Sequence, residues 1–249
     1  MSQYFSFQWH ITDECDQRCK HCYIFSGEDG KELKSMTWKQ MTEVVANCED
    51  FCKVYGRVPY FYITGGDPIL HPDFWKLMVL LKSKKIPFTL MGNPFHLNDE
   101  ICRMLKACGC DKYQMSLDGM RETHDWFRKP GSFDLTIEKI GCLNRAGIKR
   151  IICGNCHITI SSNGDIMACR RVTDSKVANI FEDRLADVWI CQMEKYRDYD
   201  KFVKCSKCEL KAWCRGCPAV ANGTSSNFYG ADPQCWKTRN EITGEVLSC

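Results

Sequence analysis

Four times between residues 5 and 152, a short run of aromatic and β-branched residues gives way to a helical pattern of apolar residues. The first run, Phe5-Ser6-Phe7-Gln8-Trp9-His10-Ile11-Thr12, reads as a strand. A helix is predicted over 37–52, opened by the capping-box pair Thr37 and Gln40 and carrying Met41, Val44, Val45, Cys48, Phe51 and Cys52 at helical spacing. Tyr60 to Thr64 is a second strand, and Pro72 starts a helix that reaches residue 83. Phe88 to Met91 is a third strand; Asn98 then caps a helix over 99–108 with Gly109 at its stop. Tyr113 to Leu117 is a fourth strand, Leu135, Ile137, Ile140 and Leu143 mark a helix that stops near Gly147, and Ile148 to Ile152 begins a fifth strand. Alternating units of about 30 residues call for parallel strands joined by right-handed crossovers. The expected fold class is therefore α/β, a barrel or an open sheet, with functional loops at the C-terminal ends of the strands.

Those ends carry the chemistry. Strand one runs into Cys15-Asp16-Gln17-Arg18-Cys19-Lys20-His21-Cys22. Soft sulfur donors select zinc, Cu(I) or iron–sulfur, and structural zinc wants four closed ligands. Three thiolates on one loop hold three irons of a 4Fe–4S cube and leave the fourth iron open to a ligand that is not protein. Strand two ends in Gly65-Gly66-Asp67-Pro68, strand three in Gly92-Asn93-Pro94 and strand four in Asp118-Gly119. Four such signals on one rim reinforce each other.

After residue 152 the character changes. His157-Ile158-Thr159-Ile160 and Asp165-Ile166-Met167-Ala168 flank a Gly turn and predict a β-hairpin. A helix is predicted around 182–199, followed by Cys205-x2-Cys208 and by Cys214, Cys217 and Cys235. The expected domains are 1–152 and 153–249. Taken alone, Cys205, Cys208, Cys214 and Cys217 also read as a zinc-ribbon-like set. Cys48 and Cys52 lie in an apolar stripe and read as core, and Cys102, Cys108 and Cys110 as packing thiols.

The chain has 19 cysteines, no signal-peptide pattern at Met1-Ser2-Gln3-Tyr4 and no apolar run near the ~20 residues of a membrane span. That usage fits metal binding in a reducing cytoplasm. A formal net charge of +3 with no long single-sign block does not point to nucleic acid. Lys82-Ser83-Lys84-Lys85 falls at a predicted helix end, where cations complement the dipole.

Cys-x3-Cys-x2-Cys after a first strand, with Gly-Gly-Asp-Pro after a second, resembles the radical S-adenosylmethionine (radical SAM) enzymes; Asp67 stands where the family commonly has Glu. Ser116-Leu117-Asp118-Gly119, His124-Asp125, Arg128 and Gly131-Ser132-Phe133 also look like this family. The C-terminal part resembles the SPASM extension through Cys153, Gly164 and Cys169, then Cys205, Cys208 and Cys214, with Cys217 after two residues rather than three, and a last Cys235.

The resemblance implies a partial (β/α) barrel followed by a small Cys-rich domain, with SAM and three 4Fe–4S clusters. Cys15, Cys19 and Cys22 would hold the first cluster. One auxiliary cluster would use Cys205, Cys208, Cys214 and Cys235; the other Cys153, Cys169 and Cys217, with Cys156 as candidate fourth ligand. Gly65 and Gly66 would admit the methionine part of SAM, and Asp67 would accept from its ammonium. Ser116 would bind carboxylate or ribose, Arg128 the carboxylate, and Asn93 ribose or substrate. The implied reaction is reductive cleavage of SAM to a 5′-deoxyadenosyl radical that modifies a peptide or protein, first a thioether or carbon crosslink in a ribosomally made peptide. The N-terminal wording points to the branch whose partner peptides carry Ala-Cys-Gly repeats, and flavodoxin or ferredoxin is the implied electron donor.

Two alternatives stay open. Sulfatase-maturase-like oxidation would need a catalytic Asp where this chain has Arg170. A cluster- or zinc-binding partner without turnover is favoured by a gap: the family's barrel has six strands, yet only Lys149 to Ile152 separates the fourth helix from Cys153. The resemblance implies that roughly 70 residues are absent there, either truly lost, which would leave the barrel an exposed edge, or omitted between joined segments.

Overall fold

The computed structural model describes residues 3–25, 32–117, 120–150, 158–208, 216–233 and 235. Strand β1 (Tyr4–Thr12) is its central element. It is followed by α1 (Trp38–Val54), β2 (Val58–Gly65), α2 (Phe74–Ser83), β3 (Phe88–Met91), α3 (Asp99–Ala107) and β4 (Cys110–Gln114). The chain continues through α4 (Arg121–Phe127), α5 (Ser132–Arg145) and β5 (Lys149–Arg150). A second part holds β6 (Ile158–Ile160), β7 (Asp165–Met167), β8 (Lys176–Asn179), α6 (Leu185–Cys191) and α7 (Pro218–Ser225).

The eight strands form one sheet, ordered β5-β4-β3-β2-β1-β6-β7-β8. β1 to β5 are parallel in sequence order, as the crossover argument requires. β6 runs parallel on the other side of β1, and β7 and β8 complete an antiparallel meander. The sheet therefore crosses the boundary expected at 152/153. Both faces of β1 are covered from Phe7 onward: Phe7, Trp9 and Ile11 on one side and Gln8, His10 and Thr12 on the other are all buried. Such a strand belongs inside an α/β fold rather than at a solvated face.

The helices form for reasons visible in their ends. Thr37 Oγ1 accepts from the Gln40 N–H while Gln40 Oε1 accepts from the Thr37 N–H, so the capping box is made. Asn98 accepts from the Ile101 N–H at 2.8 Å, and Gly109 follows α3 at φ +96°. Cys48 and Cys52 are buried among Val44, Val45 and Phe51, and burial pushes the Cys52 thiol up to about 12 and Cys48 well above its ordinary value. Both are inert core residues, as are Cys102 and Cys110.

Three expectations shift. Strand four lies at 110–114 rather than 113–117, because β3 ends at Met91, whose partner is Gln114, and no strand among the described residues pairs with those beyond. Leu117 is accordingly exposed. The helix expected over 182–199 is only Leu185–Cys191; Met193 turns inward to become buried, and its N–H reaches back to Val188 O at 3.1 Å. α4, α7 and β8 add elements that the sequence pattern does not announce.

Besides the shared sheet, Asn47 ties the two parts together. Asn47 on α1 donates to Ile180 O at 3.1 Å and accepts from the Leu185 N–H at 3.1 Å, which opens α6. Asn47→Ala leaves both backbone groups short of a partner, an expected loss of about 1–3 kcal/mol. Denaturant unfolding should read this as a lower midpoint with an unchanged m-value.

Candidate metal centre

The Cys loop is held by backbone contacts to its neighbours. Gly66 N–H donates to Thr12 O at 2.8 Å and Asp67 N–H to Glu14 O at 2.7 Å. Asp13 N–H donates to Lys34 O, and Lys20 N–H to Phe127 O at the end of α4. The glycines are needed for this approach. A Cβ on Gly65 would lie 2.1 Å from Thr12 O, and one on Gly66 2.0 Å from Glu14 O. Their small size thus serves first to bring the end of β2 against the start of the Cys loop.

Above this junction lies a cavity of about 470 Å³ into which Cys15, Cys19 and Cys22 all face. Gly65, Gly66, Asn93, Ser116 and Arg128 line it as well, so every expected site position of the N-terminal part except Asp67 lies on its walls. Asp67 is fully buried, and its Oδ1 accepts from the Ile69 N–H at 3.4 Å. Its Oδ2 has no hydrogen-bond partner among the described residues. Gly92 leaves room for this carboxylate: a Cβ there would stand 2.9 Å from Asp67 Oδ1 and 2.4 Å from the Tyr113 hydroxyl. Burial raises the Asp67 carboxyl from 3.8 to about 7, with the His96 side chain lowering it and Asp16 raising it.

Residues that sequence reasoning missed complete the walls. Gln17, His21 and Tyr23 come from the Cys loop itself, and Arg170 and Arg171 from the segment after β7. The Arg170 guanidinium lies 5.4 Å from the Tyr23 ring centroid. Burial lifts the Tyr23 hydroxyl to about 12, and that hydroxyl stands 3.2 Å from His10 Nδ1. Asp16 and His96 pair at 2.9 Å beside Asn93. Asp16 is legible in the sequence only as a polar residue inside the motif; nothing in the pattern around His96 marks it.

Of the expected auxiliary ligands, Cys205 and Cys208 share one turn, the Cys208 N–H donating to Cys205 O at 3.0 Å. Burial holds the Cys169 thiol above its ordinary value, and the nearby Cys217 adds to the rise. Asp232 ties Cys217 to the Cys235 turn: its Oδ2 accepts from the Cys217 N–H at 2.7 Å, and its carbonyl accepts from the Cys235 N–H at 3.1 Å. Cys153, Cys156 and Cys214 lie outside the described residues, as does Asp118-Gly119.

A loop that gathers three thiols on one cavity, at the C-terminal rim of parallel strands, defines a cluster-binding α/β scaffold. The chain belongs to the radical SAM superfamily, whose model matches residues 9–169. An iron-sulfur cluster-binding domain of the SPASM type matches 152–218. Among curated proteins, the mycofactocin maturase MftC of Mycobacterium ulcerans is 31% identical over 143 residues, 56% of this chain and 36% of that protein. The Fe-coproporphyrin III synthase of Methanosarcina barkeri is 28% identical over 142 residues, covering 57% and 34%. The match thus spans about a third of the length of these relatives. Among solved structures, Streptococcus suis SuiB bound to S-adenosylmethionine superposes at TM-score 0.65 and 17% identity, covering 94% of this chain and 78% of SuiB. Native anSMEcpe with bound AdoMet gives 0.67 and 13%, covering 90% and 94%. At these identities the likeness shows the fold.

The cofactors of these families are 4Fe–4S clusters and SAM. The residues present fit them. Three soft donors share one cavity whose volume leaves room beside a cluster, and the glycine turn forms part of its wall. Burial holds the Cys15 thiol above its ordinary value, so loading must release a proton and should be favoured by rising pH.

Proposed function

We propose that this chain is a radical SAM enzyme that modifies a peptide or protein substrate, with the first cluster and SAM held by residues 1–152 and auxiliary clusters by 153–249. The observation that carries the reading is the convergence of Cys15, Cys19, Cys22, Gly65, Gly66 and Ser116 on one cavity. Bound together, the cluster and SAM supply one-electron cleavage of the S–C5′ bond and a primary carbon radical. The chain's own residues do the positioning. Ser116 and Arg128 offer donors to the carboxylate and ribose of SAM, and Gln17 and His21 add polar groups to the wall. Tyr23 and Arg170 close the side contributed jointly by the Cys loop and the C-terminal part.

A peptide substrate is supported by the maturase among the relatives and by the fold shared with SuiB, one structure of which is bound to its precursor peptide SuiA. A thioether or carbon crosslink in a ribosomally made peptide is the proposed outcome, with flavodoxin or ferredoxin as electron source. Cys205, Cys208, Cys214 and Cys235 are the proposed ligands of one auxiliary cluster, and Cys153, Cys169, Cys217 and Cys156 of the other. The second reading, a cluster-binding partner without turnover, is favoured by one observation: among the described residues no strand pairs with the far side of the two-residue β5.

One assay separates them. Reconstituted with iron and sulfide and reduced with dithionite under anoxia, the wild-type protein is expected to convert SAM to 5′-deoxyadenosine, and Cys22→Ala to fall to background. Equal background from both would leave the non-catalytic reading. Iron and sulfide near twelve each would match three cubes of four; zinc without sulfide would overturn the cluster assignment.

A further inference from the structure

Two of the three N-terminal thiols receive a side-chain N–H. Asn93 Nδ2 lies 3.7 Å from Cys15 Sγ, and Arg128 Nη1 lies 3.6 Å from Cys19 Sγ. The Asn93 amide is also fixed on every side. Nδ2 donates to Asp16 Oδ1 at 2.8 Å, and Oδ1 accepts from the Phe95 N–H at 2.9 Å. The second Asp16 oxygen accepts from His96 Nε2 at 2.9 Å; a carboxylate only accepts, so the imidazole nitrogen is the donor. The Tyr113 hydroxyl donates to the Asn93 carbonyl at 3.1 Å, and Asn93 itself is buried.

We propose that His96, Asp16 and Asn93 form a positioning chain that holds an N–H···S bond on Cys15 and, together with Arg128 on Cys19, raises the reduction potential of the cluster bound by these thiolates. The proposal rests on the iron–sulfur reading above. Its physics is simple. Reduction adds negative charge to the cluster and its sulfurs, and a donor aimed at a ligating sulfur stabilises the more negative state more. Outer partners that fix such a donor act through it, as groups behind metal ligands commonly do. Arg128 brings a full positive charge and Asn93 only a dipole, and the Asn93 amide is held in place by Asp16 and the Phe95 N–H.

The test is an EPR-monitored reductive titration of the reconstituted protein, following the signal that changes when SAM is added. That change singles out the cluster with an open iron. Asn93→Ala is expected to make the midpoint more negative by about a tenfold step in the reduction equilibrium, 59 mV for one electron. His96→Ala should move it in the same direction by less. His96→Gln, which keeps a donor to Asp16, should stay at the wild-type value. Wild-type midpoints in both alanine variants would overturn the proposal, as would a His96→Gln shift as large as that of His96→Ala. If Asn93→Ala takes up no iron, the His96 pair decides. The midpoint is read without turnover: shifts in a protein that makes no 5′-deoxyadenosine would sink the enzyme reading alone, and unchanged midpoints in an active protein would sink this one alone.

Discussion

Gly66→Ala should cost the protein roughly 2–6 kcal/mol and most of its iron. The added methyl would stand 2.0 Å from Glu14 O and 2.7 Å from Asp13 O, both backbone atoms that cannot rotate away. Relief requires β2 and the Cys loop to part, which strains or breaks the Gly66–Thr12 and Asp67–Glu14 hydrogen bonds. Overpacking of about 1–3 kcal/mol adds to two bonds of about 0.5–1.5 kcal/mol each. At about 2–4 °C per kcal/mol for a chain of this size, Tm should fall by roughly 10 °C. Iron content should fall with it, because the segment displaced is the one that carries Cys15. Gly223→Ala is the control. It lies in α7 with open space where the Cβ would go, and replacing a helical glycine there should be neutral or stabilising by up to about 1 kcal/mol. A Gly66→Ala protein with wild-type Tm and iron would show that the loop and strand are not held as tightly as this contact demands.

The parallel sheet was legible because its signals are local. The Thr37–Gln40 capping box, the Asn98 cap and the Phe88–Met91 strand sit within a few residues of where the pattern places them. Register was less legible. Met115-Ser116-Leu117 has strand-like composition but lies past the last residue of β3 that can pair, and only the neighbouring strand's length decides that. α4 and α7 are seven and eight residues long, too short for a periodic signal to rise above its surroundings. At the site, motif spacing located the thiols and the glycine turn, whose contacts are made by adjacent strand ends. It did not locate His96, which meets Asp16 across 80 residues. Nor did it show that Asp67 is wholly buried beside Gly92 and Tyr113 rather than on the cavity wall, since a motif names a residue but not how deeply its carboxylate sits.

That orientation leads to the second large expectation. In cluster-free protein, Asp67→Asn should stabilise the fold by a few kcal/mol at pH 7 to 8 and by almost nothing near pH 4. The cause is the burial that lifts the Asp67 carboxyl from 3.8 to about 7. Below pH 4 the folded and unfolded chains both hold the proton, and no penalty exists. Between pH 4 and 7 the unfolded chain releases it while the folded chain keeps it, so the fold loses ground steadily; above about 7 both are ionised and the penalty is constant. Each pH unit across that window costs the fold about 1.36 kcal/mol, which puts the plateau at roughly 4 kcal/mol. The neutral amide escapes this cost, and its oxygen can keep the acceptor role toward the Ile69 N–H. The measurement is the difference between the two unfolding free energies across pH, which cancels every group they share. A difference that does not change from pH 4 to 8 would show that Asp67 is not desolvated as its surroundings imply. We propose that a carboxylate held at such a cost, with one oxygen short of a donor beside the glycine turn, is there to receive a positively charged ligand group. Loading with SAM should therefore narrow the gap between wild type and Asp67→Asn at pH 7 to 8, because the ammonium would supply the charge that the apoprotein lacks.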